Sequence, residues 1–189
     1  MGGQTTPTAQ RTVTGAGSSL LVEAGYAGGA QFRHIFVTGG TIGRVVDLGI
    51  TDANNMGAAM APAAADTLAA HLREQNRTVS DYDMIVTGDL GSFGSEMFNE
   101  LCRDKGIDLS DRHRDCGNMI FDPAQKVDCG GSGCGCSAAV LTGSLLPRME
   151  RGEIKRLLLM STGALLSTVS PFQGESIPGI AHAISLEVE

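Results

Sequence analysis

Glycine, cysteine and serine make up all of residues 129–137, whose sequence is Cys-Gly-Gly-Ser-Gly-Cys-Gly-Cys-Ser. Side chains this small let a second backbone segment or a ligand approach the main chain closely. Residues 138–150, which follow, have apolar positions at helical spacing and are predicted to form a helix. A glycine-rich turn before a helix presents N–H groups that suit a carboxylate, a phosphate or an oxyanion. The alternative is that the small residues only allow the helix to pack closely on a sheet.

The cysteines raise two further possibilities, a metal site and a nucleophile. The chain has five cysteines, an odd number that favours reduced thiols over a disulfide framework. Cys129, Cys134 and Cys136 lack the paired C-x2-C spacing of zinc sites, so we predict no metal site. Cys134 and Cys136 lie near the start of the predicted helix, where a lowered pKa would make a thiol nucleophilic.

The composition of the chain argues against several classes of protein. The chain has 189 residues, 42% of them hydrophobic, which suits one globular domain or a little more. A net charge of −7 argues against nucleic acid as a partner, because phosphates demand a basic surface. The sequence has neither the long apolar run of a membrane span nor the order of a signal peptide. We therefore expect an intracellular protein without a transmembrane segment.

The elements that must position the turn alternate along the chain from residue 33 onward. This alternation predicts an α/β fold with a mixed, mostly parallel sheet and helices on both faces. Residues 1–10 are predicted to be a polar leader or linker, and residues 11–23 a strand. Further strands are predicted at 34–38, 83–87, 113–116, 155–161 and 180–187, and helices at 58–73, 95–105 and 138–150. Pro62 would lie in the first turn of the first of these helices if that helix started near Ala61.

Ligands of such sheets bind at the carboxyl ends of the strands. Gly88 and Asp89 follow one predicted strand, and Thr162, Gly163 and Ala164 are predicted to form a loop after another. These residues and the glycine-cysteine turn, residues 129–137, are expected to converge at one edge of the sheet. This edge is the predicted ligand site.

The four histidines divide into two groups. His34, His71 and His113 are expected to be surface or structural residues. His182, on the last predicted strand, is the one candidate for ligand contact. The alternative for His182 is a buried, hydrogen-bonded histidine.

Several motifs carry a family resemblance. Residues 131–137 and 151–167 resemble the C-terminal half of the thiolase-like condensing enzymes. From about Pro7 to Glu187 the chain is more similar still to the stage V sporulation protein AD family of spore-forming Firmicutes. The motifs of this second resemblance are Val-Val-Asp-Leu-Gly-Ile at 45–50, Met-Gly-Ala-Ala-Met-Ala-Pro-Ala-Ala-Ala-Asp at 56–66, Thr-Gly-Asp-Leu at 87–90, Asp-Cys-Gly at 115–117 and Glu-Ser-Ile-Pro-Gly-Ile-Ala-His at 175–182.

The resemblance implies a thiolase-like half-domain. Residues 33–189 correspond to a C-terminal thiolase-like domain, and residues 11–32 to a strand and loop remaining from the N-terminal half. The implied function is binding of dipicolinate (pyridine-2,6-dicarboxylate), which the developing spore takes up with calcium. The implied partners are the other spore-membrane proteins of the same operon, at the inner spore membrane, where this protein would be peripheral.

The resemblance to condensing enzymes also implies that catalysis is lost. It places Gly88 or Asp89 where those enzymes have a histidine, and Ser132 where they have an asparagine. Neither glycine nor an ionised aspartate has a side chain that can donate a hydrogen bond to an oxyanion. The alternatives are a thiolase-like or ketoacyl-synthase-like acyltransferase that uses a local cysteine, and a structural partner of the spore membrane channel with a relic pocket.

The ligand-binding residues predicted in this way are Gly88, Asp89, Gly131, Ser132, Gly133, Cys134, Thr162, Gly163, Ala164 and His182. Asp89 would repel a dianion unless a cation lay between them. Calcium is the one ion considered for this role, although one carboxylate is far short of its usual six to eight or so oxygen ligands. No other cofactor is expected.

A chain that lacks the first thiolase-like half is expected to expose the apolar face that this half would cover. The expected partner is then the N-terminal half or a second copy of the chain. We predict self-association or poor solubility, which size-exclusion chromatography and binding of a hydrophobic dye would measure. A monodisperse monomer with low dye binding would contradict this prediction.

Overall fold

A computed structural model describes residues 8–13, 33–167 and 169–189. Strands and helices alternate within them, as predicted. The strands are β1 (Arg11–Thr12), β2 (Ile35–Ile42), β3 (Met84–Thr87), β4 (His113–Asp115), β5 (Gly131–Ser132), β6 (Arg156–Ala164) and β7 (Gly179–Val188). The helices are α1 (Met56–Glu74), α2 (Gly91–Asp104), α3 (Cys116–Met119), α4 (Cys136–Val140) and α5 (Leu146–Glu150), with a π-helical segment at Leu141–Leu145 and 3₁₀ turns at Val79–Asp81, Pro123–Gln125 and Ser170–Gln173.

Within the described ranges, five strands form one sheet in the order β2-β7-β6-β3-β4. β6, β3 and β4 are mutually parallel, whereas β7 is antiparallel to both of its neighbours, β2 and β6. Four of these five strands therefore run in the same direction. The predicted strand over residues 11–23 is described only at its start, because residues 14–32 lie outside the described ranges, as do residues 1–7 of the predicted leader.

The two faces of the sheet build two hydrophobic cores. Leu158 and Met160 of β6 and Ile85 of β3 pack with α1 and α2 on the first face. Leu157 and Leu159 of β6 point to the other face and pack with α4 and α5. Each such leucine, fully removed from water, contributes about 1.5–3 kcal/mol. The predicted class, a mixed and mostly parallel sheet with helices on both faces, is confirmed.

Helix α1 begins earlier than predicted. It starts at Met56, two residues before the predicted range of 58–73, so the condition of a start near Ala61 is not met and Pro62 lies inside the helix rather than in its first turn. The side chain of Asn55 caps the helix by accepting a hydrogen bond from the N–H of Ala58 at 3.2 Å. A proline inside a helix removes one main-chain hydrogen bond. The helix continues through it because residues 57–65 are all buried, and tertiary packing outweighs local preference.

Helices α1 and α2 approach each other at a pair of glycines. A Cβ atom added at Gly94 would lie 2.7 Å from the Cα of Gly57, and one added at Gly57 would lie 2.9 Å from the Cα of Gly94. No real Cβ atom tolerates such distances to a main-chain atom. The absence of a side chain at both positions therefore sets how closely these helices pack.

Strand β6 is longer than predicted. Thr162, Gly163 and Ala164 were expected to form a loop, but they continue β6 because they pair with residues 179–181 of β7. That expectation was wrong, since the partner strand is distant in sequence.

The helix predicted over residues 138–150 is present but irregular: it passes from α4 through the π-helical segment into α5. There, Thr142 Oγ1 donates a hydrogen bond to the carbonyl of Ala138 at 2.8 Å, which competes with the regular ladder.

Apolar side chains are exposed on β2 and in the segment after β6. Ile42 is 91% exposed and Phe172 is 93% exposed, which is unusual for side chains of this size. Phe36, Val37, Leu165, Leu166 and Val169 are exposed as well.

The glycine pair can be tested by a matched substitution. Gly94→Ala should destabilise the protein by about 1–3 kcal/mol, because its Cβ meets the backbone of α1. The control is Gly143→Ala in the π-helical segment, where an added Cβ has no atom within 4 Å. This second change should be neutral or stabilise the fold by about 0.5–1 kcal/mol. Urea unfolding measures both, and equal effects of the two substitutions would contradict the close contact.

Candidate functional site

Three segments of the chain meet at Asp89, just beyond the carboxyl end of β3. Its Oδ1 accepts a hydrogen bond from Thr162 Oγ1 of β6 at 2.7 Å. Its Oδ2 accepts hydrogen bonds from Ser132 Oγ at 2.8 Å and from the N–H of Gly133 at 2.9 Å. We call these four residues, Asp89, Ser132, Gly133 and Thr162, the Asp89 cluster. The three donors of the cluster therefore bind a carboxylate of the protein itself, that of Asp89.

The main chain of Asp89 is held independently of its carboxylate. Its N–H donates to Thr162 Oγ1 at 3.1 Å, and its carbonyl accepts from Gln10 Nε2 at 3.1 Å. Gln10 Nε2 also donates to the carbonyl of Gly131 at 3.0 Å. One amide group thus connects the loop after β3 to the glycine-cysteine turn.

Residues 8–13 run beside the glycine-cysteine turn. β1 pairs with β5 in parallel, with Arg11 opposite Gly131 and Thr12 opposite Ser132. The N–H of Cys129 donates to the carbonyl of Ala9 at 3.0 Å, so the end of the predicted leader packs against the turn. Main-chain N–H groups of the turn that a ligand could have used are therefore hydrogen-bonded to residues 8–13 instead.

Glycines let the segments of the cluster come together. A Cβ at Gly88 would lie 2.7 Å from Thr162 Oγ1 and 2.8 Å from the Thr162 nitrogen. Gly133 has a φ of +119° and a Cβ there would lie 2.8 Å from the carbonyl oxygen of Val13. Close backbone approach and hydrogen bonding to an anion therefore occur together at this turn, and the two interpretations of its sequence are not exclusive.

A second carboxylate, that of Asp115, lies under the same edge of the sheet. Its Oδ2 accepts from Thr87 Oγ1 at 2.7 Å and from the N–H of Leu90 at 2.8 Å. Its Oδ1 accepts from the N–H groups of Gly91 at 2.9 Å and Asn118 at 3.2 Å. It thereby binds the start of α2 and caps α3. Burial raises the pKa of Asp115 to about 6, against the opposing effect of these donors.

Sequence reasoning did not place Asp115 at the site. The available signal is its position one residue before a short helix, which is typical of an N-cap aspartate. Its second role, binding N–H groups that lie 24 and 25 residues away, leaves no local pattern.

His113 and Thr87 extend this hydrogen-bond chain. Because Thr87 donates its one hydroxyl hydrogen to Asp115, the Nε2 of His113, 2.9 Å from Thr87 Oγ1, must be the protonated ring nitrogen. The ring packs on Phe98 with a centroid distance of 4.7 Å. Burial lowers the pKa of His113 to about 4, and Arg114 adds to this effect. His113 is thus a neutral structural residue near pH 7.

His71 is likewise structural and is fully buried. Its Nδ1 lies 2.9 Å from Thr41 Oγ1, and its Nε2 lies 2.7 Å from the hydroxyl of Tyr82. That hydroxyl is in turn 2.9 Å from Ser185 Oγ. Burial lowers the pKa of His71. The network connects α1 to β2 and β7 inside the first core.

The predicted site residues are only partly brought together. Gly88, Asp89, Ser132, Gly133 and Thr162 meet as described above, and Gly131 and Cys134 are their neighbours on the turn. Gly163 and Ala164 continue β6 beyond Thr162.

His182 lies on β7, opposite Ser161. It is exposed, and its Nδ1 accepts a hydrogen bond from the N–H of Gly43 at 3.1 Å. It therefore differs from the buried histidine of the alternative interpretation, although it is hydrogen-bonded.

All five cysteines lie in the described ranges and none forms a disulfide, as their number suggests. Cys136 is buried, and burial raises its pKa to about 12. The expectation of a lowered pKa at Cys136 is therefore wrong, because desolvation disfavours the thiolate. Burial raises the pKa of Cys116 as well, whereas Cys134 is exposed on the turn. Within the described ranges, no group of three or more His, Cys, Asp or Glu side chains is placed to hold a metal ion.

A cavity of about 410 Å³ lies beside the turn but does not contain the Asp89 cluster. Its lining mixes two carboxylates and one ammonium group with apolar surface. The lining residues are Asn118, Phe121, Asp122, Lys126, Val127, Asp128 and Gly130.

Among the helices of the described residues, none combines the length and hydropathy needed to cross a bilayer.

Comparison with known proteins relates the whole chain to one family. Residues 1–187 match the family model of stage V sporulation protein AD. A curated relative, stage V sporulation protein AD of Bacillus subtilis (strain 168), is 44% identical over 186 residues, which are 98% of this chain and 53% of the relative. The chain thus spans about half the length of this relative.

Solved structures with a similar chain path are enzymes of much lower identity. A Bacillus anthracis acetyl-CoA acetyltransferase is 15% identical with a TM-score of 0.45, over 82% of this chain and 30% of that one. The 3-oxoacyl-[acyl-carrier-protein] synthase III of Aquifex aeolicus VF5 is 13% identical with a TM-score of 0.40, over 82% of this chain and 53% of that one.

The lowered pKa of His113 predicts that the free energy of unfolding depends on pH. Its pKa is about 4 in the folded protein and ordinarily 6.5, so between these values the unfolded chain binds a proton that the folded chain does not. The free energy of unfolding should therefore decrease as the pH falls through this window. His113→Gln keeps an N–H donor for Thr87 and removes the titration, so its unfolding free energy should depend less on pH, by up to about 1.4 kcal/mol per pH unit.

Urea unfolding of both proteins across this window measures the effect. Asp115 titrates with the opposite sign, because its raised pKa lets the folded protein bind a proton before the unfolded chain does. Both proteins contain Asp115 and His71, so the difference between their curves isolates His113. Parallel curves would contradict the prediction.

Proposed function

We propose that this chain, which belongs to the stage V sporulation protein AD family, serves sporulation as a non-enzymatic protein that binds dipicolinate and supports its uptake into the developing spore. The family membership supports the role in sporulation. Dipicolinate is the proposed ligand, and the carboxyl edge of the sheet around the Asp89 cluster is the proposed site.

The observation that carries this proposal is the donor set of the Asp89 cluster. Two hydroxyl groups and one main-chain N–H, from segments distant in sequence, bind both oxygens of one carboxylate at 2.7–2.9 Å. Dipicolinate presents the same chemical group twice, on a flat ring. Glycines beside the donors bring these segments close enough to share one carboxylate, since a Cβ at Gly88 or Gly133 would meet Thr162 or Val13.

The chemistry of the site favours binding over catalysis. The buried thiols of Cys116 and Cys136 have raised pKa values and are protonated near pH 7, so they are poor nucleophiles. Gly88 or Asp89 stands in the place proposed for the catalytic histidine of condensing enzymes. Gly88 has no side chain to donate a hydrogen bond, and the Asp89 carboxylate accepts hydrogen bonds rather than donating them.

The proposed partners follow from the family and from the surface. We propose that the exposed apolar residues of β2 and of residues 165–172 contact an N-terminal thiolase-like half or a second copy of the chain. A peripheral position at the inner spore membrane, with the other spore-membrane proteins of the operon, completes the proposal.

Calorimetric titration with dipicolinate, with and without calcium, tests the function. Wild type should bind, and in an Asp89→Ala background Ser132→Ala or Thr162→Val should weaken binding about tenfold, because each then removes a hydrogen bond to the ligand from a donor that Asp89 no longer uses. Thr51→Val, at an exposed threonine outside the cluster, is the control and should bind as wild type does. Absence of heat with and without calcium would refute the function. Acetyl-CoA turnover that disappears in Cys134→Ala would instead support an acyltransferase.

A further inference from the structure

The donors of the Asp89 cluster are already used in this structure. Asp89 Oδ1 binds Thr162, and its Oδ2 binds both Ser132 and Gly133, so each donor faces a carboxylate oxygen. A ligand carboxylate cannot bind these groups while Asp89 does. It cannot bind beside Asp89 without cost either, because two carboxylates at short range repel each other.

We propose that the cluster is a carboxylate-exchange site, in which Asp89 is the resident occupant and an incoming carboxylate takes its place. The Asp89 side chain then acts as an internal competitor that keeps the donors satisfied when no ligand is bound. Ligand binding replaces three hydrogen bonds to Asp89 with three hydrogen bonds to the ligand, and Asp89 turns toward solvent.

The anchoring of the main chain makes this exchange local. The N–H and the carbonyl of Asp89 are bound by Thr162 and Gln10, and the next two N–H groups along the chain are bound by Asp115. None of these bonds involves the Asp89 carboxylate. Its release therefore needs rotation about side-chain bonds, and the loop after β3 can stay in place.

The position of the cluster makes exchange accessible. Asp89 itself is 8% exposed, but Ser132 and Gly133 are only partly buried, and the adjacent Cys134 is exposed. These partly buried donors would lose a charged acceptor if Asp89 left, so an empty cluster is unfavourable. Removing the Asp89 carboxylate should thus create a site that recruits a carboxylate from solution.

The ligand class is a planar carboxylate with a small substituent. Acetate and formate are its simplest members and probe the site without any assumption about the natural ligand. The extension to dipicolinate rests on the proposed function, whereas the acetate experiment does not.

The experiment compares the melting temperatures of wild type and Asp89→Ala in sodium acetate and in sodium chloride at equal ionic strength. Acetate should raise the melting temperature of Asp89→Ala relative to chloride by a few degrees, and should leave wild type unchanged. Asp104→Ala, which removes an exposed carboxylate at the end of α2, is the charge-matched control and should behave as wild type does. Equal melting temperatures of Asp89→Ala in the two salts would overturn the proposal.

Two further variants make the outcome decisive. Adding Ser132→Ala and Thr162→Val to Asp89→Ala should abolish the acetate effect, and its persistence would overturn the proposal. Asp89→Asn keeps the side-chain size but has one acceptor oxygen, so acetate should stabilise it less than Asp89→Ala. If Asp89→Ala does not fold in chloride, recovery of its circular dichroism signal in acetate is the expected result, and no recovery, together with no acetate effect on Asp89→Asn, would overturn the proposal.

Dipicolinate titration separates this proposal from the function it extends. Asp89→Ala should bind dipicolinate about tenfold more tightly than wild type or better, because an internal competitor at high effective concentration is gone. If neither protein binds dipicolinate while acetate stabilises Asp89→Ala, the proposed function fails and the exchange site stands. If wild type binds and Asp89→Ala binds more weakly, in calcium above all, Asp89 contacts the ligand or its cation and the exchange proposal is wrong.

Discussion

Main-chain groups at the carboxyl edge of the sheet need hydrogen-bond partners that neither strands nor helices provide, and two aspartates supply them. Asp115 binds the N–H groups of Leu90 and Gly91. Asp89 binds the N–H of Gly133 and two hydroxyl groups from other segments. An unpaired buried N–H costs free energy comparable to a lost hydrogen bond. The positions of the loop after β3, the glycine-cysteine turn and the end of β6 all depend on these two carboxylates.

The same arrangement explains why so many small residues are needed there. A carboxylate of aspartate is short, so its donors must come within hydrogen-bonding distance of the main chain that carries it. A side chain at Gly88 would occupy the space of Thr162, and one at Gly133 would meet the carbonyl of Val13. The structure and the proposed function thus depend on the same hydrogen-bond donors. Donors that bind the Asp89 carboxylate within the fold can also bind a carboxylate from solution.

Much of the fold could be predicted from patterns within short windows. The alternation of elements, the order of the strands along the chain and the mixed α/β class follow from local hydrophobic periodicity, and the structure has them. The errors occur where a distant segment decides. Thr162 belongs to β6 because β7 pairs with it, and α1 runs through Pro62 because its first half is buried on nearly every side. In both cases tertiary packing contributes more free energy than the local conformational preference of the residues does.

The candidate site shows the same division between local and distant information. The sequence by itself determined the family and the alternation of strands and helices, because motifs and hydrophobic periodicity are properties of short windows. It also predicted that Asp89, the glycine-cysteine turn and Thr162 meet at one edge, and hydrogen bonds join them there. Only the tertiary structure decided that the donors of the turn bind Asp89, that Asp115 lies beneath them, and that His71 is buried. Hydrogen bonds between residues that are 43 or 73 positions apart have no signature in either segment, since each partner is defined by the fold that brings it there.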